Sequence, residues 1–175
     1  MPEGGGRVRT GEFATALLVI ALSVLAAARN EVWRSDLLLW SDNVSKSPQK
    51  ARAHYNLGVI LLEADRTEEA QSRFAEALRL NPRYTDAYVN IGKVYVRLKK
   101  PQRAKEAFKT ALLLDPGNVL AHFNLGVAYL DDGMNDEADR EFETVLRIQP
   151  SHAQARQFLL YLRMPGNSPP NRLLR

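Results

Sequence analysis

The same three residues return twice along this chain, each time 34 residues further on. Asn56-Leu57-Gly58 becomes Asn90-Ile91-Gly92 and then Asn124-Leu125-Gly126. Behind each copy, at constant offsets, stand an alanine (Ala70, Ala104, Ala138), an aromatic (Phe74, Phe108, Phe142) and a proline (Pro82, Pro116, Pro150). In the first copy His54, Leu57, Gly58 and Leu61 fall at i, i+3, i+4 and i+7, one face of a helix; Ala70, Phe74, Ala77 and Leu78 mark a second. Gly58 and Ala70 are small where these helices should cross. Pro82 cannot continue a helix and biases Asn81 away from helical dihedrals, so the hairpin ends there. The inner seam recurs as Tyr88, Ile91, Gly92 and Tyr95, then as His122, Leu125, Gly126 and Tyr129. One such hairpin leaves its apolar face bare. Stacking covers it, and about three copies are the working minimum.

Residues 51–152 resemble the tetratricopeptide repeat (TPR) family, with repeats over 51–84, 85–118 and 119–152. The resemblance implies an all-α fold: a right-handed superhelical solenoid of three repeats plus capping helices, preceded here by one apolar N-terminal helix. It also implies a non-catalytic scaffold that binds an extended peptide or a partner helix in a concave groove. The first helix of each hairpin would line that groove, which places Asn56, Asn90 and Asn124 there. In the similar superhelix of O-linked GlcNAc transferases, asparagines at this position bond to peptide backbone, and an amide that donates and accepts suits a peptide group. Hydrogen bonding between helices is the other reading of these asparagines. Equivalent positions add Arg52, Tyr55, Val89, Lys93, Arg97, Phe123 and Val127 as groove candidates. Lys93 and Arg97, one turn apart, suit an acidic side chain or a C-terminal carboxylate. The lysine and asparagine set of chaperone-binding TPRs is incomplete here.

A length of 175 residues suits one compact domain with tails. The absence of cysteine excludes disulfides, thiolate zinc sites and cysteine nucleophiles. The net charge of +4 is unevenly spread. Residues 51–84 set five arginines against five acids, 85–118 seven basic residues against three acids, and 119–152 two arginines against seven acids. A nucleic-acid reader needs a continuous basic stripe, and the acidic third repeat breaks it. The change of sign suits steering of a protein or peptide ligand, or head-to-tail self-association, although a solvated mixed-charge face gives the same pattern. No catalytic constellation is legible. His54 and His122 occupy equivalent core positions two repeats apart, too distant to share a metal. Gly4-Gly5-Gly6 lacks the lysine and the strand–helix setting of a phosphate loop. No cofactor, metal or enzymatic activity is expected.

Residues 13–28 (FATALLVIALSVLAAA) carry no charge. As a helix they reach about 24 Å, somewhat short of a ~30 Å hydrocarbon core. With Arg7 and Arg9 ahead of them they read as a membrane anchor, or as a signal segment with Ala26 and Ala28 spaced for cleavage before Arg29. A buried helix of a soluble domain is the third reading. The following Arg29-Asn30-Glu31-Val32-Trp33, then Leu39-Trp40, Ser47-Pro48 and the first repeat, resemble the junction in membrane-embedded, protein-mannosyltransferase-like glycosyltransferases that carry C-terminal TPRs. The resemblance implies an anchor before the repeats and transfers none of the chemistry. The expected placement is a single-pass membrane protein with repeats on the periplasmic or lumenal side, or a secreted one after cleavage.

Asn30 is suited to cap the helix over 29–48, on which Trp33, Leu37, Trp40 and Val44 share a face. Trp40 lies 34 residues before Phe74 and Pro48 lies 34 before Pro82, so this helix takes the place of the second helix of a preceding half-repeat. At the other end, Ser151 and Gln154 have the spacing of a capping box ahead of a sealing helix over 153–163. Ala155, Phe158, Leu159 and Leu162 are its inner face; Leu160, Tyr161 and Met164 lie off it. Residues 1–12 and 164–175 read as disordered.

Overall fold

The computed structural model describes residues 18–19, 21–25 and 36–164. From residue 36 the chain is a file of helices: α1 (36–46), α2 (Ala51–Glu63), α3 (Thr67–Leu80), α4 (Thr85–Arg97), α5 (Pro101–Leu114), α6 (Val119–Asp131), α7 (Asn135–Ile148) and α8 (Ala153–Arg163). Each packs on its neighbours in sequence, with the strongest pairings inside the hairpins α2–α3, α4–α5 and α6–α7. Among the described residues there is no strand.

Each hairpin is fixed by one crossing. Phe74, Phe108 and Phe142 are fully buried, and so are Ala70, Ala104 and Ala138 one turn earlier. The phenylalanine rings press against Gly58, Gly92 and Gly126. A Cβ on Gly58 would sit 2.8 Å from Phe74 Cε1, and one on Gly126 would sit 2.9 Å from Phe142 Cε1, both inside contact distance. Glycine is required here for room rather than for dihedral freedom.

Two kinds of turn alternate. Between the helices of each hairpin, Asp65, Lys99 and Gly133 hold φ of 59°, 55° and 74°. This is a left-handed C′ residue: Arg66, Lys100 and Met134 donate their N–H groups back to the carbonyls of Leu61, Tyr95 and Tyr129. Between hairpins the proline turn is closed by a side chain six residues on. His54 Nε2 meets the Pro48 carbonyl at 2.9 Å, His122 Nε2 meets that of Pro116 at 3.0 Å, and Arg156 Nη2 donates to that of Pro150 at 2.6 Å. The two histidines are therefore turn clasps as well as seam residues. His122 also reaches Glu141 Oε2 through Nδ1 at 2.6 Å, whereas His54 Nδ1 is buried without a partner.

The ends follow the same register. Leu37, Trp40 and Val44 of α1 pack on the cluster built from α2 and α3, as a preceding second helix would. Ala155 and Leu159 of α8 are buried and Phe158 and Leu162 partly so, closing the last hairpin. Ser151 does not cap α8. The N-cap is His152, whose Nδ1 accepts from Ala155 N at 3.2 Å while its ring lies 4.9 Å from Phe123. Ser151 lies within a turn closed by His152 N donating to Gln149 O at 3.1 Å, so the cap falls one residue later.

Residues 18–19 and 21–25 are helical, and Leu18, Val19, Leu22, Val24 and Leu25 are each more than half exposed. They are not packed into the solenoid, so the buried-helix reading does not hold for them. Among the described residues no helix is long and apolar enough to cross a membrane. The rest of 13–28, the proposed cap Asn30 with Trp33, and the tails 1–12 and 165–175 lie outside the described residues.

Candidate peptide-binding groove

A concavity of about 1020 Å³ is lined by the C-terminal halves of α4 and α6 and by the turn joining α2 to α3. Lys93, Val96 and Arg97 form one wall, Asn124, Val127 and Asp131 face them, and Lys99 closes the turn end. Four candidates read from the sequence, Lys93, Arg97, Asn124 and Val127, thus meet in one groove. Arg97 is partly committed: its Nη1 donates to the Leu62 carbonyl at 2.6 Å and lies 3.2 Å from Asp65 Oδ1, tying the second repeat to the first. Asn124, on the facing wall, donates from Nδ2 to Leu120 O of its own helix at 2.7 Å. Val127 is 4% exposed and supplies apolar floor.

Lys93 is the member poised for a ligand. It is half-buried, and no other described residue gives it a hydrogen bond or ion pair. Burial, and then the Arg97 charge, push its ammonium below the usual lysine range, with Glu63 opposing. Across the groove, burial and then neighbouring Asp132 push the Asp131 carboxyl up. In both, loss of solvent is the leading cause and a like charge adds to it, Arg97 for Lys93 and Asp132 for Asp131. An anionic group beside Lys93 would relieve the first; a cation or hydrogen-bond donor beside Asp131 would relieve the second.

The remaining candidates are elsewhere. Asn90 Nδ2 donates to Tyr55 Oη of the preceding repeat at 3.0 Å and to Asp86 O at 3.1 Å, so it joins two helices. Tyr55 stacks between Phe74 and Tyr84, with ring centroids 5.9 and 4.8 Å away. Phe123, two repeats on, does the same between Phe142 and His152. Val89, between them in register, is 3% exposed and belongs to the core. Position 55/89/123 therefore builds the seam between repeats and does not line the groove. Asn56 is half-buried and Arg52 exposed, both on α2 outside this concavity. Lys99 was not singled out by the sequence reading; its signal is the left-handed turn position it shares with Gly133.

Much of the positive charge of the second repeat is spent inside the solenoid. Lys105, 9% exposed, bonds Asp132 of the next repeat and lies over the Tyr129 ring, as does Lys109. The change of charge sign along the chain is thus in part an internal seam. Among the described residues no group of three or more potential metal-ligating side chains comes together.

A file of helical hairpins stacked in register beside a groove defines a scaffold of the helical-repeat class. The chain belongs to the tetratricopeptide repeat family, whose model matches residues 61–107 and 97–159. Among solved structures, that of MamA is similar at 29% identity and a TM-score of 0.61, over 67% of this chain and 69% of MamA. YrrB, described as a TPR protein with an unusual peptide-binding site, is 27% identical with a TM-score of 0.62, over 80% of this chain and 72% of YrrB. The first TPR of Spaghetti (RPAP3), bound to an HSP90 peptide, shares the fold with a TM-score of 0.63 at 24% identity, over 65% of this chain and 90% of that one. A curated relative, protein O-mannosyl-transferase F38B6.6 of Caenorhabditis elegans, is 33% identical over 67 residues. That match takes in 38% of this chain and spans about a tenth of the relative's length.

Proposed function

We propose that the chain is a non-catalytic TPR adaptor that takes an extended, acidic peptide segment in the groove between α4 and α6. The observation that carries this is Lys93: a half-buried ammonium with no hydrogen bond or ion pair to another described residue, on the wall of a concavity it shares with Asn124 and the apolar Val127. Apolar contacts with Val96 and Val127 give affinity, amide bonds hold the backbone, and Lys93 with Lys99 selects an anion. YrrB, a TPR protein with an unusual peptide-binding site, supports the reading by resemblance. Titration of the full chain with an eight-residue peptide bearing alternate glutamates, and with its lysine counterpart, tests it. The acidic peptide should bind at least about tenfold tighter, a difference of roughly 1.4 kcal/mol. Equal binding, or none, overturns the proposal.

The apolar stretch 13–28 supports placement at a membrane, with Arg7 and Arg9 on the retained side and the repeats on the other. Its described part is helical and exposed rather than packed on the repeats. Alkaline extraction of membranes, with the mass of the mature N-terminus, separates an anchor from a cleaved signal and from a chain that never meets a membrane. The match to the O-mannosyltransferase favours a second reading, in which the repeats hold the acceptor for a membrane glycosyltransferase. Co-purification with a mannosyltransferase activity supports it. Binding to the acidic peptide without such activity favours the adaptor.

A further inference from the structure

The two junctions between repeats carry opposite charges at the same register positions. At the first, Arg97 of α4 reaches back to the α2–α3 turn: its Nη1 donates to the Leu62 carbonyl at 2.6 Å and to Asp65 Oδ1 at 3.2 Å. One repeat on, Asp131 stands for Arg97, Val96 for Leu62 and Lys99 for Asp65. The turn itself is unchanged. Asp65 and Lys99 share the left-handed conformation, and their N–H groups donate to Leu62 O at 3.2 Å and to Val96 O at 3.0 Å. What differs is the guanidinium. Among the described residues no side chain donates to Val96 O, and Asp131 has no hydrogen bond or ion pair. A side recess of about 330 Å³ opens at that place, bounded by Val96, Lys99, Pro101, Ala128, Asp131 and Asp132. It shares Val96, Lys99, Ala128 and Asp131 with the main groove.

We infer that this recess takes an arginine side chain of the bound peptide, its guanidinium held by the Asp131 carboxylate and the Val96 carbonyl. On the peptide-groove reading above, on which this rests, the ligand is then a segment with an arginine set among acidic residues, not a purely acidic one.

Arg97 is the template. It shows that a guanidinium fits between a helix-end carbonyl and a carboxylate at this register. The second junction keeps both acceptors and moves the carboxylate from the turn to the helix. A planar fork with five donors can serve both at once, whereas an ammonium acts as a point charge. The recess lies at the C-terminal ends of α4 and α6, whose dipoles also favour a cation. Asp132, the other acid on its rim, is already bonded to Lys105, which leaves Asp131 to meet the ligand. Pro101 and Ala128 offer apolar surface to the arginine stem. Burial and Asp132 hold the Asp131 carboxyl above its usual range, and a cation beside it offsets both. Lys99 opposes a cation here, but it is exposed and has no ion pair to another described residue. Turned outward, it joins Lys93 in meeting the acids that flank the arginine.

The test uses the full chain and the eight-residue peptide with alternate glutamates, its intervening residues alanine. Four further peptides each carry arginine in place of one of those alanines. Within each protein, the affinity of every arginine peptide is divided by that of the all-alanine one. For the parent chain one position should gain about fivefold or more, and the other three less. In Asp131→Asn, which keeps the shape and removes the charge, that gain should disappear. Citrulline, the neutral isostere, in place of the favoured arginine should abolish it in the parent. Absence of gain at every position, equal gains at all four (long-range attraction to the acidic third repeat) or a gain that survives Asp131→Asn overturns the inference and leaves the groove reading standing. Failure of the all-alanine peptide to bind more tightly than its lysine counterpart is a separate result, and it overturns the groove reading and this inference together. Asp131 is exposed, and a urea midpoint matching the parent shows that Asp131→Asn is folded.

Discussion

At the hairpin crossings, register positions 58, 92 and 126 are glycine each time, and each faces a buried phenylalanine. On the concave face the next position reads Val59, Lys93 and Val127, and one turn further stand Glu63, Arg97 and Asp131. The two surfaces lie side by side on the same helices, about 100° apart. The first is uniform because a Cβ or a smaller ring would break the same packing in every copy. The second is free to vary because what it must fit is outside the chain. Repetition in this protein therefore marks load on the fold, and departure from it marks the face of the proposed groove.

The largest effect should come from breaking the uniform side. Gly92→Ala puts a methyl into the Phe108 ring, and overpacking of this kind costs about 1–3 kcal/mol, read as a lower urea midpoint. The same substitution at Gly133, which has open space around it but φ of 74°, should cost less, since only dihedral strain is added. A midpoint unchanged at Gly92 would mean that the crossing is looser than the buried ring indicates.

The asparagines sharpen the contrast within one register position. Asn90→Ala removes the bond to Tyr55 and should destabilise by about 1 kcal/mol, whereas Asn124→Ala, whose bond lies within its own helix, should stay within about 0.5 kcal/mol. Equal losses would return both to a shared structural role. Next in size is the turn. Lys99→Gly relieves a left-handed lysine and should raise stability by about 0.5–1 kcal/mol in the same titration, while removing one cation from the groove.

The smallest effect is a pH dependence. Lys93 has a folded pKa lowered below 10.5 by burial and by Arg97. Between the folded and unfolded values the unfolded chain binds more protons, so stability rises with pH across that window. Relative to Lys93→Met, the parent chain should be less stable at neutral pH, and the gap should narrow as pH climbs toward 10.5. A gap independent of pH would show that the ammonium is not short of solvent.

What could be read from the sequence divides along the same line. The glycine–phenylalanine crossing, the proline stop and the half-repeat character of α1 follow from spacing alone, because each depends on residues a fixed distance apart. Lys93 and Arg97, which helix periodicity sets one turn apart, line the same concavity. Tyr55, Val89 and Phe123 lie outside it, since a position one residue along a helix turns by about 100°. The proline clasp by His54, His122 and Arg156 follows a six-residue spacing, but two chemically different kinds of side chain, imidazole and guanidinium, share the task and hide it. Ser151 had the composition of a cap; the turn geometry after Pro150 decided otherwise. The fate of Asn90 depended on a tyrosine one repeat away, and nothing local announces that bond.

Charge reversal at Lys93 tests most directly the claim that the irregular face holds the ligand. With the glutamate-bearing peptide, Lys93→Glu should lose at least tenfold in affinity while gaining for the lysine counterpart, with its urea midpoint unchanged. Identical binding of both peptides by the parent and by Lys93→Glu would contradict the account.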